Sequence, residues 1–397
     1  MSADTESLSL ARRAMAHLQS GTTDLAAGTM EMPIAAYADP ERYKREVDHI
    51  FRHLPLALAL SIELPAPNTW RAMTVLDVPV LITRDEEGVA RAFINVCTHR
   101  GSTICKEGSG SSRRLVCPYH SWQFDYGGKL RAMYGASTFG EVDATQHNLT
   151  ELPCAERCGL IWVCLSPGEA FDIDAWLGDF ADKLNGLRLD QWYLYEQREL
   201  TGPGWKVAWD GYLESYHHAS VHPQTVGKFT IGNLTLHDTY GPHQRIVFGR
   251  RTLEELKDKP EEQWDAESHI RRIHLGFPNL AISGVLGDHC LVSQVFPGPT
   301  PESTITRQNV LAARKPETEE QKQATAAFSA IVERAVRDED YAIGYGIQRG
   351  LKSGALNHFT YGRNEPGVQH FHRMVAAHMA RDLDKLVPRP TVASPNP

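Results

Sequence analysis

The sequence has no apolar run long enough to cross a membrane. Its richest stretch, Leu54–Leu60, is far short of the ~20 residues a span requires. It has no cationic excess either. Its 41 Lys+Arg stand against 49 Asp+Glu, a formal charge of −8, which leaves no electrostatic footprint for nucleic acid or an anionic membrane. No GxGxxG or GxxxxGK[ST] loop occurs, so the chain carries no nucleotide or flavin signature of its own, and no internal repeat is visible. Export is not signalled, because the Arg12–Arg13 pair is followed by no apolar core. The cysteines (Cys97, Cys105, Cys117, Cys154, Cys158, Cys164, Cys290) are odd in number in a long chain, which argues for reduced thiols, some of them metal ligands. These absences point to a cytoplasmic enzyme.

What is present is ordinary globular composition, 42% hydrophobic and 23% charged, which excludes disorder. With 397 residues, two or three domains are expected. Residues 1–40 read as an arm with one short helix near Leu8–Leu18. From Trp70 to Val163, β-branched runs alternate with turns at Asp85–Gly88 and Asp125–Gly128, the pattern of a small antiparallel domain. His237 to Arg314 returns to strands. A long helix then opens in Pro316–Gln323, with Phe328, Ile331, Val332, Ala335 and Val336 on one face. The tail from Val387 is Pro-rich and expected to be disordered.

Two constellations carry chemistry. In NVCTHRG and CPYHSW, Cys97 and His99 form one pair and Cys117 and His120 another, each on a hairpin loop. Two thiolates and two imidazoles suit a structural zinc. They equally suit a [2Fe–2S] cluster with cysteines on one iron and histidines on the other. A zinc finger gathers its histidines on a helix, whereas here each histidine partners a cysteine.

The second constellation is GWKVAWDGYLESYHHASVHP, Gly204 to Pro223. Two imidazoles and a carboxylate on one face of a metal make the facial triad of non-haem Fe(II) oxygenases. Helix geometry pairs His218 with His222, four residues apart. His217 and His222 are five apart, but Pro223 pushes His222 out of the helical region, so geometry alone leaves both pairings open. The third ligand is expected from RDEDYAIGYGIQRG, which offers Asp338, Glu339 and Asp340. At ~100° per residue the helical phase favours Glu339, with Asp340 at the flank of the apolar stripe.

The spacing C-x-H…C-x-x-H, with its flanking His-Arg-Gly and Cys-Pro-Tyr-His-x-Trp, resembles the Rieske iron–sulfur motif. The string E-x-Y-H-x₄-H after Trp205-Lys206 resembles the mononuclear iron site of Rieske non-haem iron oxygenase α subunits, the ring-hydroxylating oxygenases. The resemblance covers nearly the whole chain. It implies Cys97, His99, Cys117 and His120 as [2Fe–2S] ligands, and His217, His222 and Asp340 as mononuclear iron ligands. Asp340 is chosen because Glu339 to Gly350 repeats the family's E-D-x₇-Q-x-G helix. Glu214 takes the place of an acidic residue, usually Asp, that bridges an iron-ligating histidine to a Rieske histidine of the neighbouring subunit. That makes it an inter-subunit electron-transfer bridge from His217 to His120 of the adjacent chain. Gly204 and Gly211 depart from the family's usual Asn.

The fold so implied is α+β. An N-terminal arm, 1–40, packs on the catalytic domain. An antiparallel β Rieske domain follows at 41–166, then a helix-grip catalytic domain at 167–385 (an antiparallel sheet around a long helix) and a tail at 386–397. The implied function is a terminal oxygenase. It uses O₂ and electrons from NAD(P)H, through a separate reductase with or without a ferredoxin, to hydroxylate or dihydroxylate a small aromatic or aromatic carboxylate. The alternative is hydroxylation or demethylation of a quaternary ammonium or betaine-like compound, and a remote one is an electron carrier or structural metal protein. A homotrimer is implied, with a β subunit left open and no nucleic acid or membrane partner. Trp209, Tyr212, Tyr216, Phe229, Phe248 and Phe277 are the candidate pocket aromatics, able to stack on a ring or cage a cation.

Overall fold

The computed structural model describes residues 3–286 and 288–380; the tail expected at 386–397 lies outside them. Short hairpins build the first half. A five-stranded antiparallel sheet runs in the order Glu151–Leu152, Ala90–Ile94, Val78–Arg84, Thr69–Val75, Gly108–Ser111. Beside it lie two three-stranded sheets: Cys154–Arg157, Leu160–Val163 and Leu56–Leu60; and Leu115–Val116, Gln123–Phe124 and Leu130–Ala132. The two Asp-x-x-Gly turns are built alike. Asp85 Oδ1 accepts from the Val89 amide at 2.8 Å, and Asp125 Oδ1 accepts from the Lys129 amide at 2.8 Å. Gly88 and Gly128 each supply the positive φ that closes the turn. Leu56–Leu60, the richest apolar run, is a fully buried strand.

The second half is one seven-stranded antiparallel sheet. Its order is Tyr193–Gly202, Thr304–Ala312, His289–Pro297, Leu280–Leu286, Ile270–Gly276, His243–Arg250, Thr230–Tyr240. A long helical segment crosses it: Glu319–Arg334, a wide π turn at Ala335–Asp340, then Tyr341–Lys352. Thr318 starts it with a capping box, accepting from the Gln321 amide at 3.2 Å while Gln321 Oε1 accepts from the Thr318 amide at 3.1 Å. This is a mixed fold of helix and antiparallel sheet, and the cavity described below lies between the sheet and the long helix.

The N-terminal segment belongs physically to this half. Its helix spans Ala3–Ser20, longer than the expected Leu8–Leu18, because its ends are pinned as well as its apolar face. Leu10, Ala11, Ala14 and Met15 pack on Leu234, Leu236, Val247 and Ile270, and Arg13 reaches Asp238 at 2.8 Å and Asp24 at 2.9 Å. Farther on, strand Met30–Pro33 pairs antiparallel with His358–Tyr361. Helix Pro40–Glu46 is then fixed by a buried ion pair from Glu46 to Lys206, with Arg42 also on Glu46 at 2.9 Å. Among the described residues no helix is long and apolar enough to cross a membrane.

Candidate metal centres and active site

Cys97 and Cys117 open two loops of the same design. The Cys97 amide donates to Ser102 O at 2.8 Å while Gly101 N donates back to Cys97 O at 2.9 Å. The Cys117 amide donates to Trp122 O at 2.8 Å while Ser121 N returns to Cys117 O at 3.0 Å. Gly101 and Ser121 both take the left-handed conformation needed to turn so tightly. Both thiols are buried. The rings of His99 and His120 lie 4.7 Å apart, and the Nδ1 atom of each is buried with no hydrogen-bond partner. Trp122 stacks on His99 at 4.8 Å, and Tyr119 covers His120 at 3.6 Å.

Two thiols and two unpartnered imidazole nitrogens are the donor set of a Rieske cluster. Among the described residues, the one group that brings three donors within 4.8 Å of one another is His217, His222 and Asp340. With one cysteine and one histidine on each loop, the Rieske-loop donors suit a cluster that takes its cysteines on one iron and its histidines on the other. Burial pushes the other thiols up, Cys105 and Cys154 to about 12 and Cys158 to about 11, so they stay protonated and unreactive.

The second centre forms where helix Trp205–Tyr212 ends and a single turn, His218–Val221, follows. His217 caps that turn at its start and His222 at its end, where φ −112° and ψ 38° leave the helix just before Pro223. Two residues flanking one turn can aim at one point despite their five-residue spacing. Gly227 closes the loop by lying so near the His218 and His222 carbonyls that no Cβ fits there. His218 turns away. Its Nδ1 is 3.2 Å from Thr230 Oγ1, its ring lies 5.0 Å from that of Phe248, and burial lowers it to about 3.

Asp340 Oδ1 lies 2.9 Å from His222 Nε2 and 3.5 Å from His217 Nε2. Each imidazole is held from behind by another carboxylate. Glu214 accepts from His217 Nδ1 in a close contact and from the His217 amide at 3.1 Å. Glu339 sits 2.7 Å from His222 Nδ1 and in close contact with Thr225. Burial works against a charged His217, but its hydrogen bonds to Asp340 and Glu214 overcome that and lift it to about 10.

A cavity of about 260 Å³ adjoins this triad, between sheet and long helix. Tyr212, Phe229 and Phe248 line it, joined by Phe328, Val332 and Arg271, which sequence reasoning did not place there. The other three candidate aromatics lie elsewhere. Trp209 and Phe277 are only 2% and 4% exposed and pack with Phe371 in the core, and Tyr216 is 64% exposed. Trp209 and Tyr212 lie three residues apart on one helix with their rings 5.9 Å apart, and they differ in depth: Trp209 is shut into the core beside Phe371, while Tyr212 also reaches the cavity. A second cavity of about 340 Å³ opens on the other side of His217, lined by Asp210, Glu214, Ile343, Ile347 and Tyr361.

Residues 55–143 match the Rieske [2Fe-2S] domain, and residues 189–381 match the ring hydroxylating alpha subunit catalytic domain. The chain belongs to the Rieske oxygenase α subunits, an oxidoreductase family, and the two domains imply a Rieske cluster and a mononuclear iron. It is 26% identical over 87% of its length to the carnitine monooxygenase oxygenase subunit of Acinetobacter pittii, of which it covers 94%. It is 29% identical to the glycine betaine monooxygenase oxygenase subunit of Chromohalobacter salexigens, over 50% of this chain and 44% of that protein. In fold it is similar to a quaternary ammonium Rieske monooxygenase crystallised with L-carnitine, with a TM-score of 0.75, 23% identity, and coverage of 90% of this chain and 96% of that one.

Proposed function

We propose that the protein is the terminal oxygenase of a Rieske monooxygenase system that hydroxylates or demethylates a quaternary ammonium compound. The observation that carries this reading is the cavity beside His217, His222 and Asp340, in which Phe229, Phe248, Phe328 and Tyr212 offer aromatic surfaces suited to a desolvated cation. The relatives described above are named for quaternary ammonium substrates. A small aromatic substrate, the first expectation from the sequence, has no such support among them.

When bound, the cluster supplies single electrons and the mononuclear iron supplies a centre with open positions for O₂. The chain's own residues do the rest. His217, His222 and Asp340 hold the metal from one side, and Glu214 and Glu339 keep the Nε2 atoms facing it. The phenyl rings exclude water from the substrate side.

Electrons come from a separate NAD(P)H-dependent reductase, directly or through a ferredoxin. Around the Rieske loops Val116, Tyr119 and Phe139 are exposed, and near Glu214 so are Tyr216, Ile343 and Ile347. Both surfaces offer apolar residues for a head-to-tail contact, and the homotrimer that the family resemblance implies is a closed ring of such contacts. Glu214 then links His217 to His120 of the neighbouring subunit.

The test is O₂ consumption by iron-replete protein with a surrogate reductase, against quaternary amines, aromatic carboxylates and neutral aromatics. Uptake coupled to a demethylated or hydroxylated amine supports the proposal, and coupling to an aromatic alone overturns it. Iron content separates the remote alternatives, with about three irons per chain expected here, two for a carrier and none for a zinc protein.

A further inference from the structure

Two neighbouring arginines of strand Ile270–Gly276 reach the cavity, and they differ in what they bind. Arg272 is engaged. Its guanidinium donates to Glu267 at 2.9 and 2.6 Å and to Ser7 at 2.6 Å. Arg271 is not. Its Nη1 is buried without a hydrogen-bond partner, and among the described residues no carboxylate forms an ion pair with it. Burial, together with the like charge of Arg250, lowers it to about 9. A largely buried guanidinium with one nitrogen unpartnered and no counter-charge is costly to keep, and such groups occur where a ligand brings the missing charge.

Its position fits that use. Arg271 stands directly across the ladder from Phe248, and the Phe248 ring touches His218, the residue next to the ligand His217. Phe248 therefore lies between the guanidinium and the metal side of the cavity. At about 260 Å³ the space suits a small molecule reaching from one to the other.

We propose that Arg271 is the specificity-determining residue for a substrate carboxylate, pairing with the anionic end of a small molecule whose reacting carbon lies at His217, His222 and Asp340. The planar guanidinium fork matches a carboxylate in two parallel hydrogen bonds. The inference rests on the quaternary ammonium reading for the other end of the substrate. Together they describe a zwitterion, its cation among the phenyl rings and its carboxylate on Arg271. An aromatic carboxylate presents the same anionic end and is the second source to be tested.

The experiment is anaerobic calorimetry on the holoenzyme with glycine betaine, choline and benzoate, using wild type, Arg271→Gln and Arg271→Lys. Wild type is expected to bind glycine betaine at least about tenfold more tightly than choline. Arg271→Gln should lose about 10–100-fold for the carboxylate and change choline less than about threefold, with Arg271→Lys between them. In turnover the loss should fall on KM more than on kcat. The ligand-free melting temperature of Arg271→Gln should equal or exceed wild type, which separates lost recognition from lost folding.

Arg271-dependent binding of benzoate, with neither trimethylammonium compound bound, keeps the carboxylate assignment and overturns the quaternary ammonium reading. Equal binding of betaine and choline, both unchanged in Arg271→Gln, overturns the assignment to Arg271 and leaves that reading standing. Absence of binding by any carboxylate also overturns the inference.

Discussion

Glu339 holds His222 by its Nδ1 at 2.7 Å, and so determines that Nε2 is the nitrogen turned toward Asp340. Adjacent residues of one helix thus serve opposite ends of a single imidazole. A carboxylate behind a metal-ligating histidine fixes its tautomer and raises its basicity.

Glu339→Gln is therefore expected to weaken mononuclear iron binding about 10–100-fold, whereas Asp340→Ala should remove it. Iron content after dialysis against a chelator measures both. The visible spectrum of the Rieske cluster should be unchanged in each.

Glu214→Gln should keep both metal centres and slow electron delivery. The readout is single-turnover oxidation of the reduced cluster in the presence of substrate. An unimpaired rate would remove Glu214 from the path between subunits.

Glu46 is fully buried and pairs with Lys206, itself nearly so. Glu46→Gln strands a buried ammonium and should cost about 3–5 kcal/mol in denaturant unfolding. The double change Glu46→Gln with Lys206→Met should recover much of that loss.

Glu6 meets Lys183 at 2.7 Å and Arg245 at 2.9 Å. Burial raises its pKa, but the two cations outweigh burial and bring it from 4.5 down to about 2. A lowered folded-state value stabilises the protein above pH 4.5, and that contribution fades as pH falls from there toward 2. The stability difference between wild type and Glu6→Gln should follow the same course, largest above about pH 5 and vanishing near pH 2, as read by urea melts at a series of pH values.

Much of the site was legible because metals impose residue type and spacing locally. Cys97, His99, Cys117 and His120 sit on two short loops, and a motif reports them directly. The third iron ligand was harder. Helical phase favours Glu339, but the wide turn at Ala335–Asp340 slows the rotation per residue just there, so a uniform 100° step misplaces both acids. Asp340 was reached through the family pattern, and the part Glu339 plays behind His222 was not anticipated.

The aromatics divide for a related reason. Composition cannot tell a cavity wall from a core, and even Trp209 and Tyr212, on one face of one helix with their rings 5.9 Å apart, divide between the two by depth alone. Arg271 left no mark at all, since a single arginine in a strand reads as surface until its burial is seen. The N-terminal helix was legible as a helix, but not the ionic contacts that extend it to Ala3–Ser20.

The pairing of Met30–Pro33 with His358–Tyr361, together with the seat of Ala3–Ser20 on the large sheet, has a topological meaning. Among the described residues, the iron–sulfur loops are flanked in sequence by two segments that pair with each other in the other half of the structure. Tethering a long excursion by both ends costs little extra loop-closure entropy as it lengthens. That half can therefore tolerate replacement of the intervening module more readily than loss of its first thirty-odd residues. Any attempt to express the iron-binding half by itself must join those residues to the remainder, not discard them.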